Sequence, residues 1–509
     1  GRWLRSAPVR AVDSLVARAR LVAGRGTTLG TFLEQSAAVR HDRRLVDEPD
    51  GPTLTQAEGA DRVDRLAGAL ATEMVVGDRV VVATTNSYDQ FLACLAVCRA
   101  GAIAVPVNPQ MRPEEVAHVR ADAGATLVLS DLSSLAGSTP LGRSLSEDPS
   151  ATAMLFYTSG TTGRPKGVAL SHKGLLGSLS AGALWPGLVR HDEAVVSLPI
   201  AHIMGFVTLL GMAAAGLPVW FLPRFRAEAV LDAIETRRCS IFVGVPAMYR
   251  RLEEAGAAER DLSSVRIWMS GADAMPGDLA RRFKGYGATA TLPVVGSVGE
   301  ATFVEGYGMV ELGGGVATKI SPPLLGVGLG DSLGIPMPGY HLQVTDDDGR
   351  PVGPGQEGEL WVRGRGVSEG YWGAPEATAD VVTDDGWVRT GDLARRGALG
   401  TAVFVGRKKD VILNGGYTVY AREVEATLED HPEVAEAGVV GAPDDARGEV
   451  PVAAVRLNDG ASVTVDELVA WVADRLADYK APRRIVVVDD LPKTGTQKVR
   501  RQELLALFD

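Results

Sequence analysis

Apolar residues in the first third of the chain alternate between strand-like and helix-like spacing. Three short apolar runs predict strands, at 78–83, 102–107 and 126–129. Three stretches with helical spacing lie before and between them, at 57–71, 88–100 and 113–123. Gly124 is placed to end the last of these helices. Alternation at this spacing predicts a parallel sheet with covering helices, and the Ser-, Gly- and Pro-rich residues 133–150 are expected to form a loop.

A second alternating region runs to about residue 310. Residues 195–202 predict a strand that ends in a turn, and residues 240–248 predict a strand followed by the start of a helix. Residues 265–273 predict a strand that is followed by Gly271 and Ala272. The character then changes, because residues 331–405 are rich in turn residues and short strand-like runs. From Lys409 onward, short strands and helices predict a separate compact α+β unit.

Composition indicates a soluble globular protein with more than one domain. Its 509 residues exceed one ordinary core, and 46% of them are hydrophobic against 23% charged. A net charge of −11 argues against nucleic acid as a partner. Cys94, Cys98 and Cys239 are expected as buried thiols, since no neighbouring His or Cys completes a metal site around the first two.

No membrane span is expected, because the most apolar window, 206–222, is broken by glycines and a proline. The Arg-rich residues 1–26 could form an organelle-targeting peptide, but their apolar spacing favours an ordinary amphipathic helix. A cytoplasmic protein is therefore expected.

The stretch 157–167 has the composition that a polyphosphate site requires. Its small residues let backbone N–H groups approach phosphate oxygens, and its lysine adds a mobile positive charge. The phosphate-binding candidates are Thr158, Ser159, Gly160, Thr161, Thr162, Gly163 and Lys166. Strand-like runs on both sides predict a loop between two strands, unlike the strand-to-helix loop of a Walker motif. Taken alone, the stretch leaves a flexible turn as the alternative.

Four further motifs follow in order, at 307–311, 389–392, 406–410 and 491–498. With the stretch 157–167 they resemble the motifs of the adenylate-forming superfamily, which contains acyl-CoA synthetases, luciferases and the adenylation domains of peptide synthetases. The resemblance implies an α/β fold with a large N-terminal domain over residues 1–408, made of two α/β subdomains plus a β-barrel. It implies a small mobile α+β lid domain over residues 409–509.

The resemblance also implies how a first reaction would join AMP to a carboxylate. Glu311 would bind Mg²⁺, Lys166 and Thr161 would hold the phosphates, and Lys498 on the lid would reach the α-phosphate and the carboxylate. Asp392 would accept hydrogen bonds from the ribose hydroxyls, with Arg407 beside it. The remaining nucleotide contacts would be Gly271, Ala272, Asp273, Gly306, Tyr307 and Gly308. For Asp273, a cap on the following helix is the alternative.

A second reaction would transfer the acyl group to a thiol. The resemblance implies that the lid turns about Lys409 and that Lys408, Gly415, Gly416 and Tyr417 meet coenzyme A. The sequence given stops 11 residues after Lys498, so no fused carrier domain is expected. Free coenzyme A, or a separate carrier protein, would then be the acceptor.

The resemblance places the acyl group in a pocket that begins at His202, for which a helix-start histidine is the alternative. The pocket residues would be His202, Ile203, Gly205, Phe206, Met309, Val310, Gly313, Gly314 and Gly315. Residues 201–206 contain no acid that could pair with an ammonium group, which disfavours an amino-acid substrate. The glycines leave volume for a bulky or polycyclic acyl group as readily as for a chain.

Two residues depart from the family motifs. Val310 stands where the family has threonine, and Gln497 stands where it has the glycine before the terminal lysine. Valine offers no hydroxyl, and a lost hydrogen bond to a charged group costs about 1.5–3 kcal/mol. Glutamine removes access to positive φ. One hypothesis is that the enzyme adenylates poorly and takes acyl-AMP from a separate adenylating enzyme, and the alternative is that both changes are tolerated.

The sequence therefore predicts an acyl-CoA ligase that acts on a bulky or hydrophobic non-amino carboxylic acid through an acyl-AMP intermediate. Its cofactors would be ATP or acyl-AMP, Mg²⁺ and coenzyme A. Two alternatives stay open: a ligase that loads a separate carrier protein, and a nucleotide-binding homologue that has lost catalysis.

Overall fold

The structure is a computed structural model. It describes residues 26–133, 135, 137–158, 165–177, 192–292, 296–323, 332–397, 400–493 and 499–508. The amphipathic helix predicted within residues 1–26 lies outside this range, apart from Gly26. No helix in the described ranges is both long and apolar enough to cross a membrane.

Helices and strands alternate through most of the described chain. The α-helices are Leu29–Arg40, Gln56–Leu70, Tyr88–Arg99, Pro113–Ala123, His172–Leu176, Ile203–Ala215, Ala227–Arg237, Pro246–Glu254, Gly277–Tyr286, Pro375–Val381, Ala421–Glu429, Val465–Ala473 and Arg501–Leu505. The strands are β1 Arg44–Asp47, β2 Thr53–Thr55, β3 Arg79–Val82, β4 Ile103–Pro106, β5 Leu127–Leu129, β6 Thr152–Thr158, β7 Lys166–Ser171, β8 Ala194–Val196, β9 Val219–Phe221, β10 Ile241–Gly244, β11 Ile267–Gly271, β12 Ala290–Leu292, β13 Gly296–Val298, β14 Thr302–Met309, β15 Gly314–Ser321, β16 Ile335–Pro336, β17 Tyr340–Thr345, β18 Glu357–Gly364, β19 Val388–Arg396, β20 Ala402–Arg407, β21 Val411–Asn414, β22 Tyr417–Tyr420, β23 Val434–Asp444, β24 Gly448–Leu457 and β25 Arg484–Val487.

The chain divides into two compact units. The first comprises Gly1–Leu329, Gly334–His341 and Val362–Val388, and the second comprises Gly330–Leu333, Leu342–Trp361 and Arg389–Asp509. The second unit therefore holds residues on both sides of the boundary predicted at 408/409, and that boundary stays a prediction.

The predicted parallel sheet near the N-terminus is confirmed in the first unit. Its strand order is β5-β3-β4-β6-β7, with β3 parallel to β4 and β5, and β4 parallel to β6. The covering helix Pro113–Ala123 ends at Gly124, as predicted, with a φ of 59° that glycine adopts without strain. Helix and strand are both absent from the described residues between 133 and 150, where a loop was expected.

The helix Tyr88–Arg99 lies at the centre of the hydrophobic core. Phe91 on this helix and Phe156 on β6 both pack against Phe206, with ring centroids 5.2 and 5.7 Å apart. Cys94 and Cys98 have no exposed surface, as predicted for buried thiols. Burial raises the pKa of both thiols, that of Cys98 to about 12, so neither is a reactive thiolate.

The first unit also contains a two-stranded sheet of β12 and β13 and a nine-stranded sheet, in the order β16-β15-β14-β11-β10-β8-β9-β1-β2. Its middle strands β14, β11, β10, β8, β9 and β1 run parallel, whereas β15 returns antiparallel to β14. Parallel strands bring their carboxyl ends to one edge, where ligands of open α/β sheets bind. The segments that follow β8, β11 and β14 carry His202, Ala272 and Glu311, so three sequence-predicted groups share that edge.

The second unit contains the C-terminal sheet and most residues of a four-stranded sheet. Strands β17 to β20 pair in sequence order, which confirms the short strands predicted over residues 331–405 but leaves barrel closure a prediction. The C-terminal sheet has the order β22-β21-β24-β23, with β25 parallel to β24. The helices Ala421–Glu429 and Val465–Ala473 pack on its apolar face through buried residues such as Val424, Leu428 and Leu468.

Candidate active site

The predicted phosphate loop joins the two strands of a hairpin, as expected. Strands β6 and β7 are antiparallel, and their register places Thr158 opposite Lys166 at the end of the hairpin next to the loop. The loop residues Ser159, Gly160, Thr161, Thr162 and Gly163 lie outside the described residues, so their phosphate contacts stay a prediction.

The helix Pro113–Ala123 packs against the end of this hairpin next to the loop. The Tyr157 hydroxyl donates to the Asp122 carboxylate at 2.7 Å, and His118 Nε2 lies 3.0 Å from the Pro165 carbonyl oxygen. A Cβ on Gly167 would come within 3.1 Å of the Tyr157 ring, so any larger residue there would require the ring to shift. Both flanks of the loop are thus fixed by side chains of one helix.

Lys166 and Glu311 meet through a tyrosine that sequence reasoning missed. The Lys166 ammonium lies 5.3 Å from the centroid of the Tyr371 ring, within cation–π range. The Tyr371 hydroxyl donates to Glu311 Oε1 at 2.9 Å. Burial and the neighbouring Glu311 carboxylate raise the pKa of Tyr371 far above its usual value, so the phenol keeps its proton.

The backbone around Tyr371 runs beside β7 like an added strand. The N–H of Ala169 donates to the Gly370 carbonyl at 3.0 Å, and the N–H of Trp372 donates to the Gly167 carbonyl at 2.7 Å. The N–H of Tyr371 donates to the Thr378 hydroxyl at 2.9 Å. An isolated aromatic residue between two turns carries no chemical signal in the sequence, and only this pairing reveals its position.

Glu311 fits the predicted Mg²⁺ ligand. It lies in the 3₁₀ turn Val310–Leu312, is 7% exposed, and uses one carboxylate oxygen to accept from Tyr371. The described residues contain no group of three or more His, Cys, Asp and Glu side chains that could enclose a metal. Mg²⁺ is usually held by one or two carboxylates together with phosphates and waters, so a single carboxylate suits it.

The predicted adenine site lies where β11 and β14 end. Gly271 pairs with Gly306, and a Cβ on Gly271 would stand 3.3 Å from the Gly306 carbonyl oxygen. Ala272 has a positive φ of 67°, an unusual backbone for alanine. Asp273 is exposed and accepts from the N–H of Ala274 at 2.8 Å. The next helix begins at Gly277 after Pro276, so the alternative that Asp273 caps it is wrong.

Only some of the predicted pocket glycines have free space beside them. A Cβ on the pocket candidate Gly313 would meet the backbone of Gly366, and one on Gly308, which is predicted as a nucleotide contact, would meet the backbone of Gly314. These two glycines therefore allow close packing instead of leaving volume for an acyl group. Gly314 differs, because its nearest neighbours would be Val207 and Ile203 side chains at 3.5 and 3.9 Å. Gly315 is exposed, and the nearest described atom to a Cβ there would be Met337 Sδ at 4.0 Å.

The helix that starts after His202 packs against this glycine region. His202 is its N-cap, and the ring Nδ1 accepts from the N–H of Met204 at 3.3 Å, which is the helix-start role held as the alternative. Gly205 and Phe206 do not line an open pocket. A Cβ on Gly205 would stand 2.7 Å from the Pro199 carbonyl carbon, and Phe206 has no exposed surface. Ile203 is 4% exposed and faces Gly314.

The two residues before Glu311 differ in burial. Met309 is half-buried at the end of β14, opposite Gly314, and Tyr307 is half-buried on the same strand. The Val310 side chain is 9% exposed and belongs to the main apolar core. Valine is thus accommodated without a polar partner at this position.

In the second unit, the predicted ribose residues lie side by side. Asp392 on β19 faces Arg407 on β20, and Arg407 Nε lies 3.3 Å from Asp392 Oδ1. Asp392 is 5% exposed, and its N–H donates to the Thr390 hydroxyl at 3.1 Å. A buried carboxylate beside a half-exposed guanidinium can accept two ribose hydroxyls while its charge stays balanced.

The predicted hinge and coenzyme A residues lie on the surface of the same unit. Lys408 Nζ lies 3.5 Å from Glu359 Oε2, and Lys409 is exposed in the 3₁₀ turn Lys408–Asp410. Gly415 and Gly416 form the two-residue turn between β21 and β22, with φ values of 59° and 85°. Tyr417 is 59% exposed and stacks on the Tyr479 ring at 4.6 Å.

The terminal lysine motif at 491–498 lies within the described residues only as far as Lys493. Gln497 and Lys498 both lie outside the described residues, so the role predicted for Lys498 and the effect predicted for Gln497 stay predictions.

Comparison with known proteins gives matches over almost the whole chain. The model of the family "AMP-binding enzyme" matches residues 33–372, and that of the "AMP-binding enzyme C-terminal domain" matches residues 423–498. Feruloyl-CoA synthase from an Amycolatopsis species is 35% identical over 497 residues, which cover 93% of this chain and 96% of that protein. Indoleacetate–CoA ligase from Aromatoleum aromaticum is 30% identical over 526 residues, covering 94% and 98%. Among solved structures, ATP-bound MatB from Rhodopseudomonas palustris is similar with a TM-score of 0.82 and 28% identity, covering 94% of this chain and 98% of that chain.

Proposed function

This chain belongs to the AMP-binding enzyme family, and on that premise we propose that it converts a bulky, aryl-bearing carboxylic acid into its coenzyme A thioester. It is an AMP-forming acid–CoA ligase, with ATP, Mg²⁺ and coenzyme A as the other participants.

In the first reaction a carboxylate oxygen attacks the α-phosphorus of ATP, the bond to the β-phosphate breaks, and pyrophosphate leaves with acyl-AMP as the product. Bringing an anion to a triphosphate requires groups that neutralise the developing charge. Lys166 would do so directly at the phosphates. Glu311 would do so indirectly, by holding Mg²⁺, which neutralises phosphate charge when bound. The observation that carries this assignment is that Lys166 and Glu311 both contact Tyr371, next to the loop of the hairpin.

In the second reaction the thiolate of coenzyme A attacks the acyl carbonyl carbon, and AMP leaves. We assign Lys409 as the pivot between residues 1–408 and a lid of residues 409–509. Lys498 would serve the first reaction, and the turn Gly415–Gly416 with Tyr417 would serve the second. The exposed position of that turn and its lack of side chains support this role, because a pantetheine arm needs an unobstructed path.

Three observations support an aryl-bearing, non-amino acid. Residues 201–206 contain no carboxylate that could hold an ammonium group. A Cβ on Gly314 would touch only apolar side chains of the helix Ile203–Ala215 at ordinary contact distances, and the adjacent Gly315 is exposed, which suits a flat apolar group. The two relatives described above carry feruloyl and indoleacetate in their names, and both of these acyl groups contain an aromatic ring.

The balance between the two reactions is a separate proposal. Val310 is buried among apolar side chains and offers no hydroxyl to the α-phosphate, so adenylation should be the slower reaction. Purified protein is given acid, ATP and coenzyme A, and separately preformed acyl-AMP and coenzyme A. We expect faster thioester formation from the second mixture and a gain of roughly 10-fold in the first for Val310→Thr combined with Gln497→Gly. Brisk turnover of the first mixture by the unmodified protein would refute slow adenylation.

The same experiment separates the alternatives. A phosphopantetheine-bearing carrier protein offered in place of coenzyme A would be acylated faster if the chain loads carriers. Binding of acyl-AMP without transfer to any thiol would indicate a nucleotide-binding homologue without catalysis.

A further inference from the structure

Lys166 and Glu311, the two charged residues of the proposed first reaction, both contact the uncharged side chain of Tyr371. Lys166 lies over the face of the Tyr371 ring, and Glu311 accepts from the hydroxyl of that ring. A lysine and a carboxylate that pair directly neutralise each other, and each is then less able to bind another ion. A neutral phenol that contacts both the lysine and the carboxylate holds the two groups close together without a proton transfer or an ion pair between them.

We propose that Tyr371 is a positioning residue for ATP and Mg²⁺: its hydroxyl orients the Glu311 carboxylate toward the metal, and its ring holds the Lys166 ammonium at the phosphates. This inference rests on the proposed function.

The chemistry of the contact supports this assignment. A carboxylate that is 7% exposed needs a hydrogen-bond donor, and a neutral hydroxyl satisfies one oxygen while leaving the full negative charge for a cation. Contact with the ring face likewise leaves the N–H groups of Lys166 free to donate to phosphate oxygens. A lysine or arginine in place of Tyr371 would reduce the affinity of Glu311 for Mg²⁺.

Tyr371 is itself held by the surrounding backbone. Its N–H donates to the Thr378 hydroxyl, and its neighbours Gly370 and Trp372 are hydrogen-bonded to β7, the strand that begins with Lys166. The N–H of Ser368 donates to the Glu311 carbonyl at 2.8 Å. One short segment therefore fixes the tyrosine relative to both the lysine strand and the glutamate turn.

The test measures ATP affinity by calorimetry, with a non-hydrolysable ATP analogue, in Mg²⁺ and in EDTA. Tyr371→Phe removes the hydroxyl and keeps the ring, so we expect affinity roughly 10-fold weaker in Mg²⁺ and unchanged in EDTA. Tyr371→Leu removes the ring as well, and affinity should fall under both conditions. If Tyr371 had a merely structural role, each variant would lose as much ATP affinity in EDTA as in Mg²⁺.

Tyr286→Phe is the matched control. It also removes a tyrosine hydroxyl near a glutamate, Glu253 at 3.4 Å, but on the helix Gly277–Tyr286. We expect it to bind ATP as the unmodified protein does. Thioester formation from preformed acyl-AMP should persist in Tyr371→Phe, which verifies its folding.

Equal Mg²⁺ dependence in Tyr371→Phe and the unmodified protein would overturn the inference and leave the ligase assignment intact. Failure of the unmodified protein to form a thioester from acyl-AMP would instead overturn the proposed function.

Discussion

Replacing Gly308 by alanine should disrupt the pairing of β14 with β15. A Cβ at Gly308 would stand 2.6 Å from the carbonyl carbon of Gly314 and 2.7 Å from the Cα of Gly315. These are backbone atoms of the paired strand, in a register that sets Gly308 against Gly315, so no side-chain rotation relieves the overlap. Overpacking of this kind costs about 1–3 kcal/mol, and we expect the upper end of that range because two strands must move apart.

Gly306→Ala is the control for this prediction. It lies on the same strand, and its Cβ would meet nothing nearer than the Ser270 carbonyl oxygen at 4.0 Å. Its unfolding free energy should stay the same or rise by up to about 1 kcal/mol, since alanine restricts the unfolded chain. Gly306 is a predicted nucleotide contact, so an added methyl group there should weaken ATP binding. Urea unfolding followed by tryptophan fluorescence measures the stabilities, and a Gly308→Ala protein as stable as Gly306→Ala would refute the packing argument.

Two further predictions concern charged and titratable groups. Asp392→Asn should raise the KM for ATP and slow thioester formation from acyl-AMP, each roughly 10-fold, because both nucleotides carry the ribose; retention of both rates would contradict the ribose assignment. His172 is 2% exposed, Nδ1 accepts from the N–H of Leu29 at 3.2 Å, and burial lowers the pKa to about 4. The pKa of histidine in the unfolded chain is about 6.5, so the unfolded chain gains a proton before the folded one as pH falls. The stability that neutral His172 contributes is therefore complete above about pH 6.5 and declines by about 3 kcal/mol toward pH 4. His172→Gln should remove this decline in urea unfolding compared at neutral and acidic pH. Glu48, whose pKa is raised to about 7 by burial and whose effect has the opposite sign, is present in both proteins and cancels in the difference; an identical pH dependence would contradict the prediction.

Local spacing predicted the regular elements well because helix and strand periods are properties of short segments. The helix Pro113–Ala123 and its terminal Gly124 follow from apolar spacing and from the φ freedom of one residue. Motif order likewise predicted that Asp392 and Arg407 belong to one site, and antiparallel pairing brings them together.

Sequence could not tell which glycines have free space. Gly306 and Gly308 stand two apart on β14, yet only a Cβ on Gly308 would overlap the backbone of the returning strand. Phe206 follows the predicted pocket histidine closely, but its helix turns it into the core against Phe91 and Phe156. Both distinctions depend on what lies opposite a residue, which is set by contacts distant in sequence.

Tyr371 was missed for the same reason. Its contacts with Lys166 and Glu311 depend on hydrogen bonds between β7 and a segment far along the chain. No spacing rule within either segment predicts that pairing.

The central claim is that this chain passes an acid through acyl-AMP to a thiol. The most direct measurement is thiol consumption by the purified protein over a panel of aryl-substituted carboxylic acids, with ATP, Mg²⁺ and coenzyme A, and in parallel with preformed acyl-adenylates. We predict a coenzyme A thioester and an equal amount of AMP from at least one acid or its adenylate. The absence of thioester from every acid and from every preformed adenylate would contradict the account.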